Sequence, residues 1–113
     1  MSRAYEVQVF VKGIAPKQLQ KMMTEEFGWI EDSLWEYKGI ITFTGKGWLS
    51  GGQTEEEAHA QIYEALKAIN PVALVSTKWT YLEDLPCSEY GDRFDINTPL
   101  PAQESAEVQA EAE

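Results

Sequence analysis

One histidine and one cysteine are the side chains of this chain with the most obvious catalytic or metal-binding chemistry. His59 has no second histidine beside it and no Ser-His-Asp spacing, and a single residue without partners does not make a site. Cys87 follows Pro86 and lies near Glu89, and a nearby acid disfavours the thiolate nucleophile. We therefore interpret His59 as a surface residue and Cys87 as an incidental free thiol. The chain is predicted not to be an enzyme, with no catalytic, metal or cofactor-binding residues.

Carboxylates and glycines near residue 55 offer another kind of site. The glycine pair at 51–52 precedes a predicted helix, where backbone amides can hold a phosphate. Glu55, Glu56 and Glu57 fill the first turn of that helix, where they favour the positive end of the helix dipole and would repel an anion. The spacing also matches neither the Walker nor the dinucleotide motif. We predict no phosphate site here.

Charge is distributed unevenly along the 113 residues, whose formal net charge is -10. Residues 1–82 carry ten acids and eight bases, a net charge of -2, whereas residues 83–113 carry nine acids and Arg93, a net charge of -8. The overall charge disfavours binding to duplex DNA or an anionic membrane, because both need a basic face. We expect one domain at 1–82, an extended proline-containing segment at 83–101, and a disordered acidic tail at 102–113.

Targeting signals are not evident in the sequence. Residues 1–12 alternate in polarity and include charged side chains, which is unlike the apolar core of a signal peptide. No stretch approaches the roughly 18 apolar residues of a membrane span. We therefore expect a cytoplasmic protein with no membrane partner.

Period-two alternation predicts strands at both ends of residues 1–82, here called the body. In the first strand the alternating residues are Tyr5, Val7, Val9 and Val11, and in the last they are Val75, Thr77, Trp79 and Tyr81. Residues 34–50 are rich in aromatic and β-branched side chains and contain three glycines. We interpret them as two strands joined by a tight turn, either at Lys38-Gly39 or at Gly45-Lys46.

Helical spacing predicts two helices between these strands. The first covers residues 16–27 and ends at Gly28, and the second covers residues 54–69. Thr54 followed by Glu57 is a capping box at the start of the second helix. The resulting order, β-α-β-β-α-β, predicts an α+β fold of the ferredoxin-like type. We expect a four-stranded antiparallel sheet with both helices on one face, followed by the acidic C-terminal tail.

Two short segments resemble the signature segments of RNA-recognition-motif domains. Val9-Phe10-Val11-Lys12-Gly13-Ile14 resembles the shorter one, and Lys38-Gly39 followed by Ile40-Ile41-Thr42-Phe43 resembles the longer. The resemblance covers residues 5–82 and implies a sheet face on which aromatic rings stack single-stranded bases. Ile40 and Thr42 stand where the family has its stacking aromatics. The implied nucleic-acid site consists of Phe10, Lys12, Lys38, Ile40 and Thr42.

Aromatic residues carry the functional prediction from composition. Four tryptophans in so short a body indicate core packing together with an exposed patch, because Trp and Tyr anchor protein interfaces. The expected function is a non-enzymatic protein-interaction module. The size and charge resemble those of small acidic inhibitors or modulators of viral or mobile-element type, which engage a basic or hydrophobic surface of a nucleic-acid-handling protein. The candidate partner-binding residues are Phe10, Trp35, Trp48, Trp79, Tyr81, Tyr90 and Phe94.

Three alternatives to this function stay open at the level of the sequence. The first is single-stranded nucleic-acid binding through the sheet face that the resemblance implies. The second is a small-ligand regulatory domain of the same fold. The third is a homodimer in which a second copy covers the open side of the sheet.

Overall fold

A computed structural model describes residues 3–49, 52–83 and 87–100 of the chain. In chain order the elements are β1 (Arg3–Lys12), α1 (Pro16–Lys21) with a π-helical turn (Met22–Glu26) directly after it, β2 (Ile30–Tyr37), β3 (Ile40–Leu49), α2 (Glu55–Ile69), β4 (Leu74–Tyr81) and β5 (Cys87–Gly91). Within the described residues, all the strands join one antiparallel sheet in the order β2-β3-β1-β4-β5.

The predicted four-stranded ferredoxin-like sheet is wrong, because the described residues form a five-stranded sheet in which β5 lies beside β4. The two strands pair from Ser76 opposite Gly91 to Thr80 opposite Cys87. β5 was missed because its five residues contain one aromatic side chain and no β-branched one. It forms because β4 presents an edge of unpaired backbone groups. The α+β class is compatible with the structure, whereas the division into domains stays a prediction and residues 102–113 lie outside the described residues.

β1 lies at the centre of the sheet and determines its two faces. It pairs with β3 from Arg3 to Lys12 and with β4 from Tyr5 to Lys12. Its alternation is confirmed, since Tyr5, Val7, Val9 and Val11 are all buried. The side chains between them point to the other face and are only partly buried.

Both helices pack on the same side of the sheet, over the buried residues of β1. α1 and the π-helical turn contribute Leu19, Met22 and Met23, and α2 contributes Ala58, Ile62 and Leu66. The rings of Trp29 and Trp79 meet edge to face in this core, with centroids 5.5 Å apart. Trp29 lies so close to β3 that a Cβ on Gly47 would be 2.6 Å from its ring, which is why this position holds a glycine.

The predicted helix ends are confirmed by their hydrogen bonds. The Glu57 amide donates to Thr54 Oγ1 at 3.1 Å, and the Thr54 amide donates to Glu57 Oε1 at 3.0 Å, which completes the capping box. The π-helical turn ends before Gly28, whose φ of 76° allows the chain to reverse into β2.

The turn between β2 and β3 lies at Lys38-Gly39, the first of the two predicted positions. Both residues have positive φ, 50° and 87°, which is the geometry of a two-residue type I′ hairpin. A two-residue turn sets the register of the hairpin, and here it places Tyr37 opposite Ile40 and Trp35 opposite Thr42.

Replacement of Gly39 by alanine is expected to lower the free energy of unfolding by about 1–2 kcal/mol, because an L side chain is strained at φ 87°. A Cβ there would meet only Lys12 Cε at 3.8 Å, so crowding adds little. Gly52→Ala is the matched control, since a Cβ at Gly52 meets nothing within 4 Å and its φ is not in the left-handed region. Urea denaturation measures both variants, and equal stability of the two would contradict the assignment of the strain to the turn.

Candidate binding face

The side of the sheet that faces away from both helices, here called the open face, is formed by alternate residues of every strand. β1 contributes Glu6, Gln8, Phe10 and Lys12, whose partners across β3 are Lys46, Thr44, Thr42 and Ile40. β4 adds Ser76 and Lys78, and β5 adds Glu89. Because both helices pack on the other side, the large side chains of the open face stay in contact with solvent.

Large apolar side chains gather at one end of the open face, around the β2–β3 hairpin. Trp35 lies opposite Thr42, which in turn lies opposite Phe10, and Tyr37 lies opposite Ile40. Trp35 is 53% exposed and Tyr37 is 54% exposed. We call Phe10, Trp35, Tyr37 and Ile40 the aromatic patch. Together with Thr42 and Ile96 the patch lines a surface hollow of about 170 Å³.

Residues 92–100, here called the strap, follow β5 and return over the same end of the open face. Phe94 lines a second hollow, of about 310 Å³, with Phe10 and Ile40 among its walls. Lys12 Nζ donates to the carbonyl oxygen of Ile96 at 3.2 Å and to that of Thr98. The strap therefore covers part of the aromatic patch and leaves Trp35 and Tyr37 half open.

A small turn gives the strap a defined shape. Asp95 Oδ1 accepts hydrogen bonds from the Asn97 amide at 2.9 Å and from Thr98 Oγ1 at 3.1 Å. The hydrogen bond from the Asn97 backbone, followed by the one from the Thr98 side chain, lowers the pKa of Asp95 below its ordinary value. The turn places Phe94 and Ile96 on either side of an exposed aspartate.

The charges of the open face are balanced within it. Glu6 lies opposite Lys46, and Lys78 lies opposite Glu89, so each acid has a base across the strand pair. Lys46 Nζ also lies 3.6 Å from Asp32 Oδ2. With Lys12 bonded to the strap, the lysines of this face do not form the basic surround that a phosphate backbone needs.

On the helix side, a polar network fastens β5 and the start of the strap to α2. Asp92 is its centre: the carboxylate accepts from Tyr63 OH at 3.0 Å and from the Val75 amide at 3.0 Å, and it lies 3.2 Å from Lys67 Nζ. The Asp92 amide donates in return to the Val75 carbonyl oxygen at 2.8 Å. These contacts set where β5 ends and where the strap begins.

His59, which the sequence predicts to be a surface residue, lies beside this network and is partly buried against β4 and β5. Its ring stacks on Tyr90 with centroids 5.5 Å apart, and its Nδ1 lies 2.7 Å from Thr77 Oγ1. Trp79 Nε1 donates to that same oxygen at 2.8 Å. Thr77 Oγ1 can accept from the indole and still either donate to His59 Nδ1 or accept from it, because a hydroxyl has one hydrogen and two acceptor lone pairs. Burial lowers the pKa of His59 below 6.5, and the charge of Asp92 partly opposes that effect.

The candidate residues from the sequence divide into three groups in the structure. Phe10, Trp35, Phe94, Lys12, Lys38, Ile40 and Thr42 come together at the hairpin end of the open face. Trp48 is exposed near the end of β3, six residues along the strand from Thr42 or about 20 Å away, and it lines a hollow with Trp29 and Ile62 of the helix side. The remaining three, Trp79, Tyr81 and Tyr90, lie on the helix side.

Those three residues have partners inside the protein. Trp79 is 0% exposed and packs in the core against Trp29. Tyr81 is half-buried with its ring 5.3 Å from that of Tyr5. Tyr90 donates to Glu55 Oε1 at 3.1 Å, and burial, followed by that hydrogen bond, raises its pKa above 10.0.

Two residues of the binding face were missed by the sequence reasoning. Tyr37 lies two positions after Trp35 on the same strand, so period two alone places both on one side, and this signal was available. Ile96 had no such signal, because its position depends on how the strap folds back over the sheet. Lys38 Nζ lies 5.5 Å from the centre of the Tyr37 ring, a cation–π contact at the edge of the patch.

Comparison of the chain with protein-family models, with curated proteins and with solved structures finds no match. In the part of the chain that the structure describes, no helix is long and apolar enough to cross a membrane. The same residues contain no group of three or more His, Cys, Asp or Glu placed to hold a metal ion. The absence of catalysis and of cofactors stays a prediction.

Stability is expected to fall as the pH drops below about 6.5, because burial lowers the pKa of His59 and so favours its neutral form in the folded chain. The unfolded chain takes up this proton near its ordinary pKa of about 6.5, whereas the folded chain does so only at lower pH. The contribution is therefore complete above pH 6.5 and is lost as the pH falls through the folded-state value. Urea denaturation at several pH values between 7.5 and 5 measures the free energy of unfolding.

His59→Asn is the matched variant, since its side-chain amide can donate to Thr77 Oγ1 or accept from it without titrating in this range. Its stability is expected to change less with pH than that of the wild type over the same window. Parallel curves for the two proteins would show that other groups cause the pH dependence.

Proposed function

We propose that the chain is a non-enzymatic protein-binding module and that it binds its partner through the aromatic patch. The observation that carries this proposal is the exposure of Trp35 and Tyr37, each more than half open, beside an apolar hollow of about 170 Å³. Large aromatic side chains at the rim of a pocket are the usual anchors of a protein interface. Contiguous patches of exposed apolar side chains mark binding surfaces more often than isolated apolar residues do.

Charge supports a protein partner with a basic surface. The net charge of the chain is -10, but the open face is balanced by pairs such as Glu6–Lys46 and Lys78–Glu89. In this proposal the contact itself is apolar, and the long-range field of the acidic chain attracts a basic partner and speeds encounter. Binding to a nucleic-acid-handling protein, and inhibition of that protein, are finer parts of the same proposal.

Single-stranded nucleic acid is the second candidate, and one observation favours it. Phe10, Lys12, Ile40 and Thr42, which the resemblance places at a base-stacking site, lie together and next to two further aromatic rings. Against it stand the strap, whose carbonyl oxygens accept from Lys12, and the acids opposite Lys46 and Lys78. Saturable binding of a short oligothymidylate at low salt, weakened in Phe10→Ala by about 1–3 kcal/mol, would favour this candidate over a protein partner.

Trp35→Ala is expected to weaken partner binding by about 30-fold, the usual effect of removing one interface hot spot. The immobilised full chain captures proteins from a lysate of its own cells at low and at high salt, and a captured protein is then purified and titrated. Ile69→Ala is the control, because Ile69 is 41% exposed but lies on α2, on the other side of the sheet.

Three outcomes of this experiment are informative. Loss of binding in Trp35→Ala with binding retained in Ile69→Ala supports the proposal. Equal effects of the two substitutions, or no captured protein at either salt, overturn it. If the captured protein is a second copy of the chain, sedimentation of the purified protein shows a dimer that Trp35→Ala dissociates, and the partner is then the chain itself.

A further inference from the structure

The strap lies on the open face in the way a bound peptide would. Phe94 and Ile96 are two positions apart, and both lie beside Phe10 and Ile40. Between them, Asp95 is fully exposed and organises the turn that follows. Ile96 is the second residue of a turn in which the Thr98 amide donates to the Asp95 carbonyl oxygen at 3.1 Å, so the strap brings Phe94 and Ile96 to the face from the start of a turn.

The backbone of the strap also has a hydrogen-bond donor on the open face. Lys12 Nζ donates to the carbonyl oxygens of Ile96 and Thr98. Carbonyl groups are present in any peptide backbone, so this contact does not require a particular side chain in the ligand. The face therefore offers one general contact, from Lys12, and two hollows, of which the one beside Ile96 is apolar and the one beside Phe94 is lined by both apolar and polar side chains.

The strap is held loosely compared with the strands beneath it. Within the described residues, the backbone of 93–100 forms no hydrogen bond with the backbone of the sheet. Ile96 remains 36% exposed, beside the hollow that Trp35 and Tyr37 also line. A segment with few buried contacts and solvent-exposed backbone opens at low free-energy cost.

The hollow beside Ile96 has the size of one large apolar side chain. Its volume is about 170 Å³. An apolar cavity of about 150 Å³ accommodates a benzene ring in another protein, so one aromatic or branched aliphatic side chain fits here. A ligand that displaces the strap gains this hollow in addition to the sites that Phe94 and Ile96 use.

From these observations we infer that the open face binds a short non-helical segment of a partner protein, with an aromatic and an aliphatic side chain two positions apart at the start of a turn, and that the strap is an internal ligand of the same kind. This inference rests on the proposed function and names the kind of partner. The strap has to leave before the segment binds, so the apparent affinity falls in proportion to the fraction of molecules in which the strap is open. Because the strap is tethered to β5, its effective concentration at the face is high.

A peptide with the sequence of residues 92–100, labelled with a fluorophore, tests the inference without a known partner. The receptor is the full chain with Phe94→Ser and Ile96→Ser, which frees the face, and fluorescence anisotropy measures binding. The freed chain is expected to bind the peptide at least about tenfold more tightly than the wild type, in which the strap competes. A peptide carrying the same two serine substitutions is expected not to bind.

A second variant guards against a folding defect in the first. Asp95→Ala removes the acceptor of the strap turn but leaves the face and both apolar side chains in place. It is expected to increase peptide binding in the same direction by a smaller factor. Trp35→Ala, added to the freed chain, is expected to weaken peptide binding by roughly tenfold, as the loss of one aromatic contact does.

Each outcome decides either this inference or the proposed function. If no strap variant binds the peptide, or if variants and wild type bind it equally, the strap is not an internal ligand. If the peptide experiment fails in this way but Trp35→Ala still weakens binding of a captured partner, the proposed function stands and only this inference is wrong. If the peptide binds as expected but no partner depends on Trp35, the face is a peptide site whose ligand is the strap, and the proposed function is wrong.

Discussion

The pairing of β1 with β3 on one side and β4 on the other is the constraint on which the rest of the structure depends. Side chains alternate along a strand, so once Val7, Val9 and Val11 are buried beneath the helices, Gln8, Phe10 and Lys12 have to face the other way. A slip of one residue would exchange the two sets, and the burial of three valines prevents it. The open face is thus a consequence of how the core is filled, and its composition follows from the residues between the core positions.

Two helices cover one side of the sheet, and the strap covers part of the other side. α2 and the α1 region supply the core side, and the strap supplies a narrow cover around Phe10. The two covers meet at Asp92, whose carboxylate joins Lys67 and Tyr63 of α2 to the backbone of β4. The polar clamp at Asp92 orders the start of the strap, whereas Lys12 and a few apolar contacts hold its remainder. Because the start of the strap is held by several hydrogen bonds and an ion pair, and its remainder by few contacts, the remainder is suited to reversible displacement.

The apolar contact surface and the excess negative charge belong to different parts of this chain. The open face balances its acids and bases across strand pairs, while most of the net negative charge belongs to residues 83–113. An apolar contact surface gives affinity without strong dependence on salt, and a distant charge surplus acts on encounter rates. The balanced face is also the main reason to prefer a protein over a nucleic acid as the partner, because stacking aromatics without a basic surround lack the contacts that position phosphates.

Local patterns in the sequence were sufficient for the features that depend on neighbours along the chain. The capping box at Thr54, the helix end before Gly28 and the alternation of β1 were all predictable, because each depends on hydrogen bonds or spacing within a few residues. The turn at Lys38-Gly39 was one of two equal possibilities until the pairing of β2 with β3 selected it. β5 and the strap had no local signal, since a short polar strand forms only where β4 offers an edge, and Ile96 lines the same hollow as Trp35 only because the chain returns over the sheet. The sequence by itself determined which side chains are apolar and how they alternate, whereas only the tertiary structure decided which of them share a surface, because that depends on contacts between residues far apart in the chain.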